Sequence, residues 1–408
     1  MGDIWKARDA QDTSAAIERA LREGISLEIV GHGSKRDLGR PAQSDATLDL
    51  SALAGVTLYE PAELVLSARA GTPLAEIEAL LAAERQELAF EPIDCGPLLA
   101  GARGRGTIGG TLAANLSGPR RLKAGAARDH FLGFSAVSGR GETFKSGGRV
   151  VKNVTGYDLS KLIAGSWGTL AAMTDVTLKT LPKAEREETL LVEGLDDAAA
   201  VRAMTLAMRS PIDVSGAAHL PAVLAVRASD SLPAGRAATL LRLEGVEPSV
   251  AHRRDVLQAL LRPFGPIAVF DAPQSRALWQ AIRDVVPFAA DGPSGERHVW
   301  RISTVPTRGA EIGRAIGQNA DAELIYDWAG GLVWAALAPA QDAGASIVRA
   351  AVSAFGGHAM LMRAPVAVRA AVDVFEPQEG ALRGLAARVK ASFDPHGVLG
   401  AGRMWAGI

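Results

Sequence analysis

One cysteine, Cys95, stands in 408 residues. It excludes a disulfide framework within the chain and any iron–sulfur cluster held by four cysteines of this chain alone, and it fits a reducing compartment. Charge of one sign is not in excess: 44 Lys and Arg face 45 Asp and Glu, so bulk electrostatics ask for neither nucleic acid nor an anionic membrane. Long apolar runs are missing too. Arg, Asp or Glu breaks each alanine-rich stretch before the ~18 apolar residues a spanning helix needs. The opening MGDIWKARDAQDTS carries acids where a secretory signal requires an apolar core. The seven histidines (32, 130, 219, 252, 298, 358 and 396) form no HxH or HxxxH pair, so no metal is expected.

What is present is the balance of a globular protein, 48% hydrophobic and 22% charged, in a chain long enough for two domains. Its 44 glycines are crowded between positions 96 and 168. The spacing predicts a helix capped by Asp12 or Thr13, with Ala16, Ile17, Ala20 and Leu21 inward and Gly24 as its stop, then a strand at Leu27–Val30. Strands follow at Thr47–Leu50, Val56–Tyr59 and Leu64–Ala70, and a helix opens at Pro73 with Leu74, Ile77, Leu80 and Leu81 inward. Phe131–Val137 and Glu142–Phe144 flank a hairpin turn, and Val176, Leu178 and Thr180 share a strand face. Lys183–Glu188 reads as a solvated connection and marks the domain boundary. Beyond it, strand-like runs (Leu190–Val192, Leu332–Ala335) alternate with amphipathic helices (Val201–Met208, His252–Leu261, Arg276–Val285), as in an α+β domain of two similar βαβ-type halves.

Two glycine-rich segments carry the chemistry. Backbone N–H groups that converge at a loop or helix start can hold a pyrophosphate without lysines, and glycine is needed where a side chain would block the approach. Gly31, His32, Gly33, Ser34 and Lys35 follow a strand in this way. Gly104, Gly106, Thr107, Gly109 and Gly110 open a helix, with Asn115, Ser117 and Gly118 beyond it. GHGSKRDLG lacks the GxGxxG spacing of a Rossmann turn. A third segment, Val150–Pro182, is punctuated by Gly156, Gly165 and Gly168.

The succession GHGSK, GTIGGTLAANLSG, RDHFLG and KNVTGYDLSKLIAGSWGTL resembles the vanillyl-alcohol-oxidase, or PCMH-type, FAD-binding family over about residues 20–182. The tail FDPHGVLGAGRM is similar to the terminus by which that family returns to its FAD domain. The resemblance implies an α+β fold: a PCMH-type FAD-binding domain of two α/β subdomains (1–182), a smaller α/β cap (183–370) and a C-terminal return (371–408). It places Gly31–Lys35 and Gly104–Gly110 at the pyrophosphate, Asn115, Ser117 and Gly118 near the flavin, and the Met173 backbone at the adenine end. Among family members the likeness is to the flavin subunits of glycolate oxidase complexes. That implies oxidation of glycolate to glyoxylate, with electrons passing through flavin to a second flavin-binding subunit and an iron–sulfur subunit. It also implies a cytoplasmic place, peripheral on the inner membrane face through those partners. The alternatives are a self-sufficient 2-hydroxy-acid dehydrogenase or oxidase, and an assembly subunit without catalysis.

Two departures from the family pattern matter. GSEGTLGxIT appears as GSWGTLAAMT, with Trp167 and Ala171 in place of Glu and Gly. The HxGDGN-like motif of related 2-hydroxy-acid dehydrogenases is absent, which leaves the catalytic residues unassigned and points to a flavin holder rather than the oxidation site. His32 lies where some relatives link flavin covalently, yet it separates two glycines instead of following them, so FAD is expected to be non-covalent. Arg120, Arg121 and Lys123 read equally as a solvated loop or as ligands of phosphate or carboxylate. Tyr157 and Asp158 are expected to pack their segment, Lys152 and Asn153 to cap a turn, Cys95 to fill core, and Trp328 and Trp334 to be core or interface residues.

Overall fold

The computed structural model describes residues 2–41, 43–149 and 156–406. Lys152 and Asn153 lie outside the described residues. In the N-terminal part, strands β1 (Asp3–Lys6), β2 (Leu27–Val30) and β3 (Ala46–Asp49) form a parallel sheet of order β1-β3-β2. Helix α1 (Ala10–Glu23) joins β1 to β2 and buries Thr13, Ile17 and Ala20. Its N-cap is Asp9, one turn earlier than the expected Asp12 or Thr13: the Asp9 carboxylate accepts from Asp12 N–H at 2.7 Å, while the Asp12 carboxylate turns back to Arg8. Gly24 ends the helix in the left-handed region.

A second, antiparallel sheet is built from β4 (Val56–Glu60), β5 (Val65–Arg69), β6 (Phe131–Ser138), β7 (Thr143–Gly147) and β8 (Ala171–Lys179), in the order β4-β5-β8-β6-β7. Leu74, Ile77 and Leu81 of α2 (Leu74–Ala83) pack over it with Ile108 and Leu112 of α3 (Ile108–Ala114). Each such fully buried aliphatic side chain contributes about 1.5–3 kcal/mol from removal of apolar surface.

Gln86–Glu87 and Leu181–Pro182 form a two-stranded antiparallel sheet, and the largest sheet has eight antiparallel strands. Its strands are β9 (Arg186–Glu193), β10 (Gly216–Leu220), β11 (Ala238–Gly245), β12 (Ile267–Phe270), β13 (His298–Ser303), β14 (Ala322–Asp327), β15 (Leu332–Leu337) and β16 (His358–Arg363). They run in the order β12-β9-β11-β10-β14-β15-β13-β16. Each group of four has its own strands ordered fourth, first, third, second, and the two groups meet at the β10–β14 pair, His219 opposite Tyr326. This is a split βαβ arrangement used twice with no sequence repeat to announce it. It makes the expected similar halves antiparallel.

The expected solvated connection is corrected by this sheet. Glu187 and Glu188 are buried within β9, paired with Glu244 and Leu243. Their charges are met by partners that sequence spacing does not reveal: Ser275 Oγ donates to Glu187 at 2.6 Å, and Arg186 and Arg254 flank Glu188.

The core of the eight-stranded sheet continues into Leu38, Ile93, Leu98 and Leu116 of the N-terminal half. The C-terminal residues return to β2, where Leu27 N–H donates to Val398 O and Gly400 N–H to Leu27 O. Lys390, buried in the last helix, Gly380–Phe393, holds that return by donating to Thr169 O, Leu399 O and the Asp394 carboxylate.

Candidate functional site

The loop after β2 and the start of α3 face one another across a cleft. Gly31, His32, Gly33, Ser34, Lys35, Thr107, Gly109, Gly110 and Met173 line it, with Trp167, Gly168 and Ala171 on the wall from the third segment and Arg403 from the C-terminal return. Among the described residues, no backbone or side-chain acceptor takes the amides of Gly31, His32, Gly33, Ser34 or Lys35. Successive amides without protein partners at a loop, partly open to the cleft, form a nest for an anion. Lys35 makes no ion pair among the described residues either, so it can add a point charge. The two loops touch directly: a Cβ on Gly31 would stand 2.6 Å from Thr107 Oγ1, and one on Gly109 would stand 2.8 Å from Ala70 O. These glycines set how closely the loops approach. The nest, its loops and an apolar wall are what a dinucleotide's pyrophosphate and rings require.

The other expected site residues divide. Gly104 and Gly106 line a separate cavity shared with Ser34, Lys35, Arg103 and Arg283. Asn115 and Ser117 spend their side-chain oxygens within the chain, accepting from Arg128 N–H at 3.0 Å and Ala127 N–H at 2.9 Å. They hold the turn that presents Gly118, whose carbonyl accepts from Trp328 Nε1 at 3.0 Å. Trp167 stands on the cleft wall with its ring 5.5 Å from that of Phe375, which packs in turn on Trp405. Tyr157 does not pack its segment: it is 90% exposed, and Asp158 alone does the expected work, capping the helix Leu159–Ile163.

The basic cluster separates into three roles. Arg120 is neither a solvated residue nor a ligand candidate, because its guanidinium is spent on Glu87, Glu91 and Glu244. Arg242, with a 2% exposed side chain, joins the same network through Glu91 and Glu244. The two arginines hold the Glu244 carboxyl down at about 2 against the penalty of its burial. Lys123 pairs with Asp213 on the surface.

Arg121 differs from both. Its guanidinium lies 4.3 Å from the centre of the Trp328 ring, and Arg301 of β13 lies 4.9 Å from the same ring and 6.0 Å from Trp334. Trp328 and Ala329 both take left-handed backbone (φ 52° and 58°), a conformation that costs about 1–3 kcal/mol per residue and persists only where surroundings enforce it. Asp327, before them, is buried and accepts from Trp328 N–H at 2.7 Å. Burial pushes its carboxyl up to about 7. His358, at the start of β16, is exposed at the surface, yet partial burial of its ring, then the charges of Arg301 and Arg121, hold its imidazole below the usual histidine range. Sequence reading missed Arg301, Asp327 and His358. None belongs to a spaced motif, and only the pairing of β15 with β13 and β14 and of β13 with β16 brings them together.

A family model described as an FAD binding domain matches residues 4–147. The glycolate oxidase subunit GlcE of Escherichia coli K12 is 32% identical over 396 residues, covering 96% of this chain and 95% of that protein. A D-lactate dehydrogenase of Archaeoglobus fulgidus is 30% identical over 181 residues, 44% of this chain and 39% of that one. The structure of p-cresol methylhydroxylase with substrate bound superposes with a TM-score of 0.73 at 12% identity, over 98% of this chain and 88% of that one, a likeness of fold. Among the described residues no helix is long and apolar enough to cross a membrane. The chain belongs to the PCMH-type FAD-binding oxidoreductases of the 2-hydroxy-acid dehydrogenase group, is related to GlcE-like members, and binds FAD.

Proposed function

We propose that this chain oxidises a small 2-hydroxy acid at its own flavin, and that His358 receives the hydroxyl proton. The observation that carries the reading is an exposed imidazole, held below the usual histidine range, on the strand beside the guanidinium of Arg301, which is unpaired among the described residues. Oxidising a 2-hydroxy acid removes a hydride from carbon and a proton from oxygen, so the site needs an electron-pair acceptor and a base. FAD, when bound, supplies the acceptor for the hydride. Gly31–Lys35, Thr107, Gly109, Gly110 and Met173 hold the cofactor along the cleft, and Gly104, Gly106, Asn115, Ser117 and Gly118 set the loops that orient it. The side-chain-free approach at Gly31 and Gly109, and the five unspent amides, support that assignment. His358 then does what the missing HxGDGN-like motif would otherwise do.

A second reading has its own support: the end-to-end relation to GlcE favours a subunit of a glycolate oxidase complex working with a second flavin-binding subunit and an iron–sulfur subunit. One experiment separates the two. The purified chain is mixed anaerobically with glycolate, D-lactate or L-lactate, and the flavin band is followed. Bleaching by the chain alone supports oxidation at its own flavin. Bleaching only after partner subunits are added supports the complex, and a colourless chain defeats both.

A further inference from the structure

We propose that Arg121, from the N-terminal half, and Arg301, from the eight-stranded sheet, form the binding site for the carboxylate of a small organic acid, with the Trp328 indole as their shared platform. The proposal rests on the reading of this chain as an oxidant of 2-hydroxy acids and names the group recognised.

The first support is a contrast in how this protein treats its enclosed arginines. Arg242 has Glu91 and Glu244, Arg120 has three glutamates, and Arg403 has Glu28. Arg363 donates to the carbonyls of Leu98, Phe288, Ser294 and Arg297. Arg121 and Arg301 have no side-chain hydrogen bond and no ion pair among the described residues, and Arg301 Nε is buried without a partner. A guanidinium withdrawn from water without an acceptor costs several kcal/mol, and a second like charge nearby adds to the cost. Burial first, and then the charge of Arg121, lowers Arg301 to about 10. A pair left in this state is satisfied by an anion.

The surroundings narrow its class. Asp327, the nearest acid acting on Arg301, is occupied by the Trp328 amide and lies beyond ion-pairing distance. The guanidinium of Arg121 lies 4.3 Å and that of Arg301 4.9 Å from the Trp328 ring centre, with Arg301 also 6.0 Å from that of Trp334, so indole contacts hold both while no protein acceptor among the described residues takes their side-chain N–H groups. Arginine forks match a carboxylate in two parallel bonds. Trp328 is anchored to the flavin-side turn through Gly118 O, so its strained backbone holds the platform in place. His358 stands near enough to feel both charges, which puts a proton acceptor beside the acid's 2-hydroxyl.

Oxalate is the probe, because it has the carboxylates of a 2-hydroxy acid and no hydride to give. Its binding to FAD-loaded protein is read by perturbation of the flavin spectrum and by calorimetry. Arg301→Leu and Arg121→Leu should each weaken oxalate roughly 10- to 100-fold, as expected for loss of a charge-assisted pair, with FAD content unchanged and Tm equal to or above the parent's. Arg301→Lys should retain a part of the affinity, which guards against a variant that simply misfolds. Oxamide should not bind. The proposal is overturned if the two leucine variants bind oxalate like the parent, or if inorganic phosphate competes as well as oxalate. The two readings fail separately: an inert chain that still loses oxalate on Arg301→Leu defeats the proposed oxidation and keeps the carboxylate site. A chain reduced by glycolate with unaltered KM in both variants does the reverse.

Discussion

A single methyl group on Gly31 tests the cradle most sharply. In Gly31→Ala the new carbon stands 2.6 Å from Thr107 Oγ1 and 3.0 Å from Thr107 Cγ2. Backbone strain plays no part, since Gly31 lies outside the left-handed region. Thr107 cannot step aside freely: it is buried, and its Oγ1 accepts from Gly110 N–H at 3.3 Å as the N-cap of α3. Relief therefore comes from parting the two loops or from turning Thr107 out of its cap. Overpacking costs about 1–3 kcal/mol and loss of the cap about 1 kcal/mol, for a total near 2–4 kcal/mol. Thr107→Ala alone removes the cap and should cost about 1 kcal/mol. In the double variant the two closest obstructing atoms are gone, so the total should also stay at about 1 kcal/mol, a coupling of about 2–4 kcal/mol in the rescuing direction. Denaturant unfolding of the three variants measures the cycle, and titration with FAD measures the cradle: affinity should fall at least tenfold in Gly31→Ala and recover in the double variant. Additive destabilisation, or a Gly31→Ala protein as stable as the parent, would refute the close approach of the loops.

His358→Gln should lower turnover with a 2-hydroxy acid by about 10²–10⁴-fold, as for loss of a general base, while FAD content stays unchanged. Because the imidazole is held below its usual range, the acid limb of the kcat/KM profile should fall below pH 6.5, and a limb above neutrality would count against it. Asp327→Asn should stabilise the protein at pH 8 by up to about 4 kcal/mol, since a folded pKa near 7 against an unfolded 3.8 makes ionisation destabilising. The gain should shrink as pH falls through 7 and vanish near pH 4, as read from unfolding curves at several pH values. Glu244 runs the other way: its folded value of about 2 against an ordinary 4.5 adds stability above pH 4.5 that is lost as pH falls toward 2, and Glu244→Gln should flatten that part of the acid unfolding profile. Cys95, 2% exposed with its thiol pushed up by burial, should resist alkylation in the native protein and react on unfolding; rapid native labelling would contradict its place in the core.

Much of the N-terminal half was legible because its signals are local. The helical spacing of Ile17 and Ala20, the Gly24 stop, the alternation along β8 and the glycine-bared loops after β2 and before α3 each depend on neighbours within a few residues. The same holds for the loop proposed as the FAD cradle, where amides without protein partners over five consecutive positions are a property of one loop. Local signals failed where partners come from afar. Lys183–Glu188 reads as solvated until Ser275 and Arg254 are folded against it. Arg120 and Arg121 are neighbours in sequence, yet the glutamates of another sheet claim one and leave the other free.

The cleft shows the division most plainly. Sequence by itself determined that the chain holds an FAD domain, because backbone geometry at glycine is written in the residue itself. Only the tertiary structure decided which side chains could act beside it. Arg301, Asp327 and His358 sit on different strands of the eight-stranded sheet, and long-range strand order has no periodicity to read. Their charges acquire chemical meaning only when burial removes the water that would have screened them.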